Sequence, residues 1–189
     1  MKGQLFIISG PSGSGKTTLV LAALQRLKEY AVEQCVTYTT REPREGEIHA
    51  KDYYFLTEDD FKVKIEQNFF LEWSTWYNHY YGTPRFVLQR LKEGISFLII
   101  LDRHGAASVK QYYSQAHMIW IEPASLLLLK KRLIARGKNS LQEIEQRIHK
   151  AQIEMEQEEK EKLYEKVIKN DDFELSCNEF ITFLKKYLR

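Results

Sequence analysis

Cysteine is scarce in this chain. Cys35 and Cys177 are the two present, without metal-ligand spacing and without the numbers for a disulfide framework, so they read as reduced thiols of a cytosolic protein. Long hydrophobic runs are missing as well. Stretches such as FLIIL at 97–101 fall far short of the roughly 20 apolar residues that cross a bilayer. The first apolar run breaks at Gly10 and Pro11, so no signal peptide is expected. Basic charge is not in excess: 28 Lys and Arg against 26 Asp and Glu leave a formal +2. That sets aside a general nucleic-acid binder and requires any bound anion to be gripped locally. Repeats and low-complexity linkers are also lacking. The expectation is a soluble, cytoplasmic, monomeric or homodimeric protein with no nucleic-acid or membrane partner, its 189 residues forming one compact core with inserted subdomains.

Short apolar runs alternate with amphipathic stretches, as in a parallel α/β sheet. QLFIIS (4–9), SFLIIL (96–101), HMIWIE (117–122) and, more weakly, KVIKN (166–170) read as strands. Helical patterns fall at 17–30, 84–92, about 105–113, 124–136, 140–164 and 178–187. Thr83 before Pro84 reads as an N-cap with proline at the first helical position, and Ser140 with Glu143 as a capping box. Residues 35–83 differ, being rich in Tyr, Trp and Thr with one short helical pattern after Thr57, and look like an inserted β-rich lobe. The charge run EMEQEEKEKLYEK at 154–166 reads as a solvated helix face.

After the first strand stands GPSGSGKT, residues 10–17, which fits G-x-x-x-x-G-K-[ST] and opens directly into a helical pattern. In such a turn Gly10, Pro11, Ser12, Gly13, Ser14 and Gly15 offer backbone N–H groups to phosphate at a helix N-terminus. Lys16 reaches the β- and γ-phosphates, and Thr17, followed by Thr18, ligates Mg²⁺. Nucleoside triphosphate binding follows, but GTPases, motors and small-molecule kinases share this cradle.

The stretch TTREPREGE (39–47) sets Arg41 and Arg44 around Pro43, in a loop rather than on a helix. The same lobe holds Tyr53, Tyr80, Tyr81 and, within FFLEWSTW, Glu72. Arginine forks and phenols suit a second phosphate, while packing of a small lobe is the other reading of the tyrosines. Asp102, at the end of a strand beside the cradle, suits a water-mediated hold on Mg²⁺ or a helix N-cap.

Five segments, SGPSGSGKTTL, TTREPREGEIHAKDYYF, FLEWSTWYNHYYGT, LKKRLIARG and VIKNDD, stand in the order and near the spacing found in guanylate kinases, which the chain resembles over essentially its whole length. The resemblance implies a P-loop nucleoside-monophosphate-kinase fold of the α/β class. Its core would be 1–34, 84–124 and 150–189, its acceptor lobe 35–83 and its helical lid 125–149. It further implies ATP and GMP as substrates, with Mg²⁺. Arg41, Arg44, Tyr53 and Tyr81 would hold the GMP phosphate, and Glu72, Thr37 and Thr83, with Asp102 nearby, the guanine. Arg132 and Asn170 would lie at the donor nucleotide, and Arg136 and Arg147 would be lid arginines joining Lys16 and Arg44 in catalysis. One departure stands out. The family pattern L-[DE]-I-D-x-Q-G reads here IILDRHG, so that Ile100 replaces an acid, and Arg103 and His104 stand where a smaller residue and a glutamine are usual. A kinase of another phosphorylated acceptor is therefore the rival reading, and a non-catalytic binding module, which tends to have a damaged cradle, the weaker one.

Overall fold

The computed structural model describes residues 2–76, 78–135, 137 and 140–188. The chain begins with β1 (Leu5–Ser9), α1 (Lys16–Arg26) and β2 (Val32–Gln34), then β3 (Tyr38–Thr39), β4 (Tyr54–Phe55), α2 (Glu58–Glu66), β5 (Phe70–Trp76) and β6 (His79–Pro84). It returns through α3 (Phe86–Lys92), β7 (Ser96–Ile100), α4 (Arg103–Tyr112) and β8 (His117–Pro123). Last come α5 (Leu126–Ala135), α6 (Leu141–Glu161), β9 (Lys166–Asn170) and α7 (Phe173–Lys185).

The main sheet has the order β2-β7-β1-β8-β9 and is parallel throughout. Its strands read as continuous apolar runs because both faces are covered. Along β1 the two-residue period sends Phe6 and Ile8 to a cluster with Leu19, Val20 and Phe180 of the flanking helices, and Leu5 and Ile7 to one with Val87, Leu91 and Val109. A parallel sheet ends all its strands at one edge, where ligands bind in open α/β folds. Here that edge carries the turn after β1, Asp102 after β7 and Asn170 at the end of β9.

A second sheet, β4-β3-β6-β5, lies within the segment read as an inserted lobe. Its helix α2 is capped by Thr57, whose hydroxyl accepts from the Asp60 N–H at 3.1 Å. Fully buried Phe61 stacks on Phe70 and Tyr80 at ring distances of 4.4 and 5.3 Å. α6 starts with the expected capping box, Ser140 and Glu143 bonding reciprocally. Among the described residues no helix is long and apolar enough to cross a membrane.

Four expectations change. Thr83 and Pro84 do not start a helix: they pair with Glu72 and Phe70 in β6, and α3 starts at Phe86 after Arg85. Proline disfavours helical backbone in the residue before it, and pairing with β5 settled the choice. α1 stops at Arg26, short of Tyr30, and β2, which extends the sheet beside β7, follows it. α7 starts at Phe173 rather than near Asn178, because Asp172 accepts from the Leu175 N–H at 2.8 Å as an N-cap. The charge run is not all solvated either, since Glu158 is 4% exposed.

Phe180 has no exposed surface where α7 meets the sheet. Truncation to alanine is expected to cost about 3–5 kcal/mol, the usual loss for a buried aromatic. Urea midpoints of the Phe180→Ala and parent proteins measure this.

Candidate active site

Backbone geometry builds the phosphate-cradle turn. Gly10 has φ 142°, and a Cβ there would lie 1.8 Å from the Ile121 carbonyl of β8. Gly15, the N-cap of α1 at φ 99°, would push a Cβ to 2.2 Å from the Asn170 amide nitrogen. Side chains then hold the turn from outside. Asn170 Nδ2 donates to the Ser14 carbonyl at 2.7 Å, and Arg132 Nη2 donates to the Asn170 carbonyl at 2.9 Å. Lys16 Nζ folds over the turn, donating to the Gly10 and Pro11 carbonyls at 2.7 and 2.8 Å. From α6, Arg147 Nη1 reaches Ser12 Oγ at 2.7 Å. Pro11 is buried, and Thr17 and Thr18 are exposed on the first turn of α1. Among the described residues, Ser14 Oγ, Asn170 Oδ1 and Arg132 Nη1 are buried and find no hydrogen-bond partner, which leaves polar capacity concentrated around the turn.

In the lobe, Arg41 Nη2 pairs with Glu47 at 2.9 Å, and its guanidinium lies 5.5 Å from the Tyr53 ring centroid. Glu47 also accepts from the Arg44 N–H at 2.8 Å, fixing the loop, while the Arg44 side chain is exposed. Tyr81 meets Tyr53 edge-on at 6.3 Å. Burial, then the neighbouring Tyr81, raises the Tyr53 phenol above its usual range, and Arg41 and Arg44 pull the other way. Arg41, Arg44, Tyr53 and Tyr81 are thus brought together. Tyr80 is not with them: strand alternation turns it to the opposite face, against Phe61 and Trp73.

Glu72 is 8% exposed and accepts from the Thr83 hydroxyl at 2.6 Å, an interaction set by the Glu72–Thr83 register of β5 and β6. Burial pushes its carboxyl up to about 7; bonding to Thr83 opposes this and the nearby Asp102 carboxylate adds to it. Thr37 is buried as well. Asp102 caps α4, accepting from the Gly105 N–H at 2.8 Å. A Cβ on Gly105 would approach the Glu72 carboxylate at 3.2 Å and Asp102 at 3.6 Å. Ile100 packs against the core and supplies no oxygen here.

Some contributors escaped the sequence reading. Glu47 was legible in principle, six residues after Arg41 in the same loop. Lys150 and Glu154 were hidden in the charged stretches of α6. They pair at 3.8 Å, and partly buried Glu154 is raised by burial first, with Lys150 and Lys16 opposing that and Asp102 reinforcing it. Arg136 lies outside the described residues.

The Glu72 carboxylate from the lobe and Asp102 from the strand edge beside the turn thus meet around Gly105. An anion-binding turn joined in this way to a second lobe of arginines and tyrosines distinguishes a P-loop nucleoside-monophosphate kinase from a GTPase or a motor on the same cradle. Comparison with known proteins narrows the class. A family model described as guanylate kinase matches residues 2–187. The guanylate kinase of Caldanaerobacter subterraneus subsp. tengcongensis is 41% identical over 172 residues, covering 90% of this chain and 81% of that one. The guanylate kinase of Escherichia coli is 35% identical over 185 residues, covering 97% and 88%. The crystal structure of guanylate kinase from Anaplasma phagocytophilum superposes with a TM-score of 0.79 at 26% identity, covering 98% of this chain and 86% of that one. The chain belongs to the guanylate kinase family.

The Glu72 carboxyl makes a stability prediction. The folded protein keeps this proton up to about pH 7, whereas the unfolded carboxyl releases it near 4.5. Its contribution is therefore complete below 4.5 and lost as pH rises through about 7, on the order of 3 kcal/mol in all. Glu72→Gln should abolish this component, so parent stability relative to the variant falls from pH 5 to pH 8 in denaturant titrations.

Proposed function

We propose that this guanylate kinase transfers the γ-phosphate of ATP to GMP or dGMP, giving ADP and the nucleoside diphosphate. The observation that carries the reading is the Glu72–Thr83 pair, a buried carboxylate beside a hydroxyl and electrostatically coupled to Asp102. Guanine presents two adjacent donors, its ring N–H and its 2-amino group. An ionised Glu72 accepts both, with Thr83 and Thr37 completing the edge. Adenine would set a ring acceptor against Glu72. Because Ile100 offers no second acid, discrimination is expected to rest on Glu72, at roughly 1–3 kcal/mol per hydrogen bond.

Arg41, Arg44, Tyr53 and Tyr81 hold the acceptor phosphate. Glu47 and the Tyr53 ring pre-orient Arg41, so less side-chain freedom is lost on binding. The turn at 10–15 holds the ATP phosphates, with Lys16, Arg132, Asn170 and Thr18 around it. In-line attack by the acceptor phosphate needs no general base, since that phosphate is already an anion. Positioning and cations carry the rate. Lys16 and Arg147, with Arg44 from the acceptor side, neutralise charge on the phosphoryl group in flight, and Arg136 is assigned to the same lid role.

The all-oxygen donors Thr17 and Asp102 fit Mg²⁺, which takes one or two protein ligands with phosphate and water completing its shell. Among the described residues no group of three or more His, Cys, Asp or Glu competes as a metal cage. Thr17 would hold the ion directly and Asp102 through water. When bound, Mg²⁺ would supply positive charge that offsets the charge of the phosphates. Asp102 also caps α4, so its two roles coexist. The division into core, acceptor lobe at 35–83 and lid at 125–149 belongs to the same reading, with closure of lobe and lid excluding water as a competing acceptor.

A panel of nucleoside monophosphates and sugar phosphates in a coupled ADP-release assay tests the acceptor: GMP and dGMP should turn over at least about tenfold faster than AMP at equal subsaturating concentration. A sugar phosphate outpacing both would overturn the proposal. Arg44→Ala should raise the KM for GMP and lower kcat, together about 100-fold in kcat/KM. Its ATP affinity, measured by calorimetry, should stay within about threefold of the parent.

A further inference from the structure

α6 crosses the site and is fastened toward each end. Toward its start, Arg147 bonds Ser12 of the cradle. Toward its end, Arg103 at the first position of α4 donates from Nη1 to Glu158 and from Nη2 to Glu161 at 2.8 Å. Arg103 and Glu158 are both buried, 8% and 4% exposed. The guanidinium lies about 6 Å from the ring centroids of Trp120 and Tyr164. The second Glu158 oxygen accepts from the Tyr164 N–H at 3.0 Å. The buried ion pair thus has both carboxylate oxygens and the arginine fork engaged, the condition under which such a pair holds one geometry.

Between these fastenings α6 packs on α5. Its buried residues are Ile144, Ala151 and Glu158, and the apolar cluster containing the first two is built from α5 and α6 alone. Residues 147, 151, 154 and 158 recur at helical spacing along one face. Arg147 and Glu158 are eleven residues apart, or about 16 Å along the axis. A swing of about 10° around Glu158 would therefore move Arg147 by about 3 Å, enough to break its bond to Ser12.

We propose that Arg103 is a positioning residue for phosphoryl transfer: through Glu158 and Glu161 it fixes the pivot of α6, and that pivot sets where Arg147 meets the cradle. Arg103 also directly follows Asp102, so the pivot and the proposed water-mediated metal ligand share the first turn of α4. The inference rests on Arg147 acting as proposed above, and it goes beyond that reading by naming the contact that aims it.

The test is a double-mutant cycle on the full chain with Arg103→Gln, Arg147→Ala and their combination, each checked for folding by thermal melt. Arg103→Gln should lower kcat about 10- to 100-fold, the effect of misplacing a catalytic group by an ångström or more, while the KM values for ATP and GMP stay within about twofold. In the Arg147→Ala background the same change should lower kcat by less than about twofold, since a misaimed group that is already absent costs nothing more. Multiplying losses would show that Arg103 acts independently of Arg147 and would overturn the inference alone. Parent-like turnover in Arg147→Ala would overturn the Arg147 assignment and the inference with it. Parent-like kcat in folded Arg103→Gln would also overturn the inference. If Arg103→Gln does not fold, Glu161→Gln, which removes only the more exposed half of the clamp, takes its place in the cycle under the same criteria.

Discussion

A backbone turn that offers most of its N–H groups to an anion can close on itself through few of them: here the Ser14 N–H donates to the Pro11 carbonyl at 3.1 Å, and the rest of the shape is imposed from outside. In this protein the hydrogen bond from Asn170 to the Ser14 carbonyl is the first of those external supports, and others gather around it. Arg132 holds the backbone of Asn170, tying α5 to the end of β9. Leu129 and Leu133 of α5 press against Gly13, where an added Cβ would meet them at 2.8 and 3.1 Å. Arg147 brings in α6. The parallel sheet makes this possible, because its strands end at one edge and deliver distant segments to a single turn.

The acceptor side obeys a different constraint. A carboxylate that reads a base edge must be desolvated enough to discriminate and ionised enough to accept, and these demands oppose each other. In the base-reading role proposed for it, Glu72 would meet them by burial on the β5–β6 ladder, with the Thr83 hydroxyl favouring the charged form and a neighbouring acid, Asp102, opposing it. The carboxyl is thereby placed close to neutrality. Cys35, buried nearby, has its thiol pushed up to about 12 by burial and by Glu72, so it stays protonated and serves as packing. With a formal charge of +2 overall, the proposed anion sites depend on a few gathered arginines and lysines rather than on a general positive field.

Much of this was legible in the residue order. The turn at 10–17, the apolar strands, the capping box at Ser140 and the cap at Asp102 are local features, each written within a few neighbouring residues. The misses follow from competition that local reading cannot weigh. Thr83 and Pro84 carry a helix-start signal, yet strand pairing with β5 outweighs it. Glu154 and Glu158 look like part of a solvated charge run, yet one sits partly buried in the field of Lys16 and Asp102, and the other is buried against Arg103. Arg103 itself stood out in the sequence only as a departure from the family pattern beside Ile100.

The chain's own order of residues determined the cradle, the alternation of strands and helices, and the presence of a lobe rich in arginine and tyrosine, because those depend on spacings of two to eight residues. Only the tertiary structure decided which side chains face one another. Ser14 and Asn170 are 156 residues apart, Ser12 and Arg147 are 135 apart, and Arg103 and Glu158 are 55 apart. Such partners leave no local periodicity. Their meeting is set by sheet register and helix packing, whose free energy is summed over the whole core rather than over any short stretch of sequence.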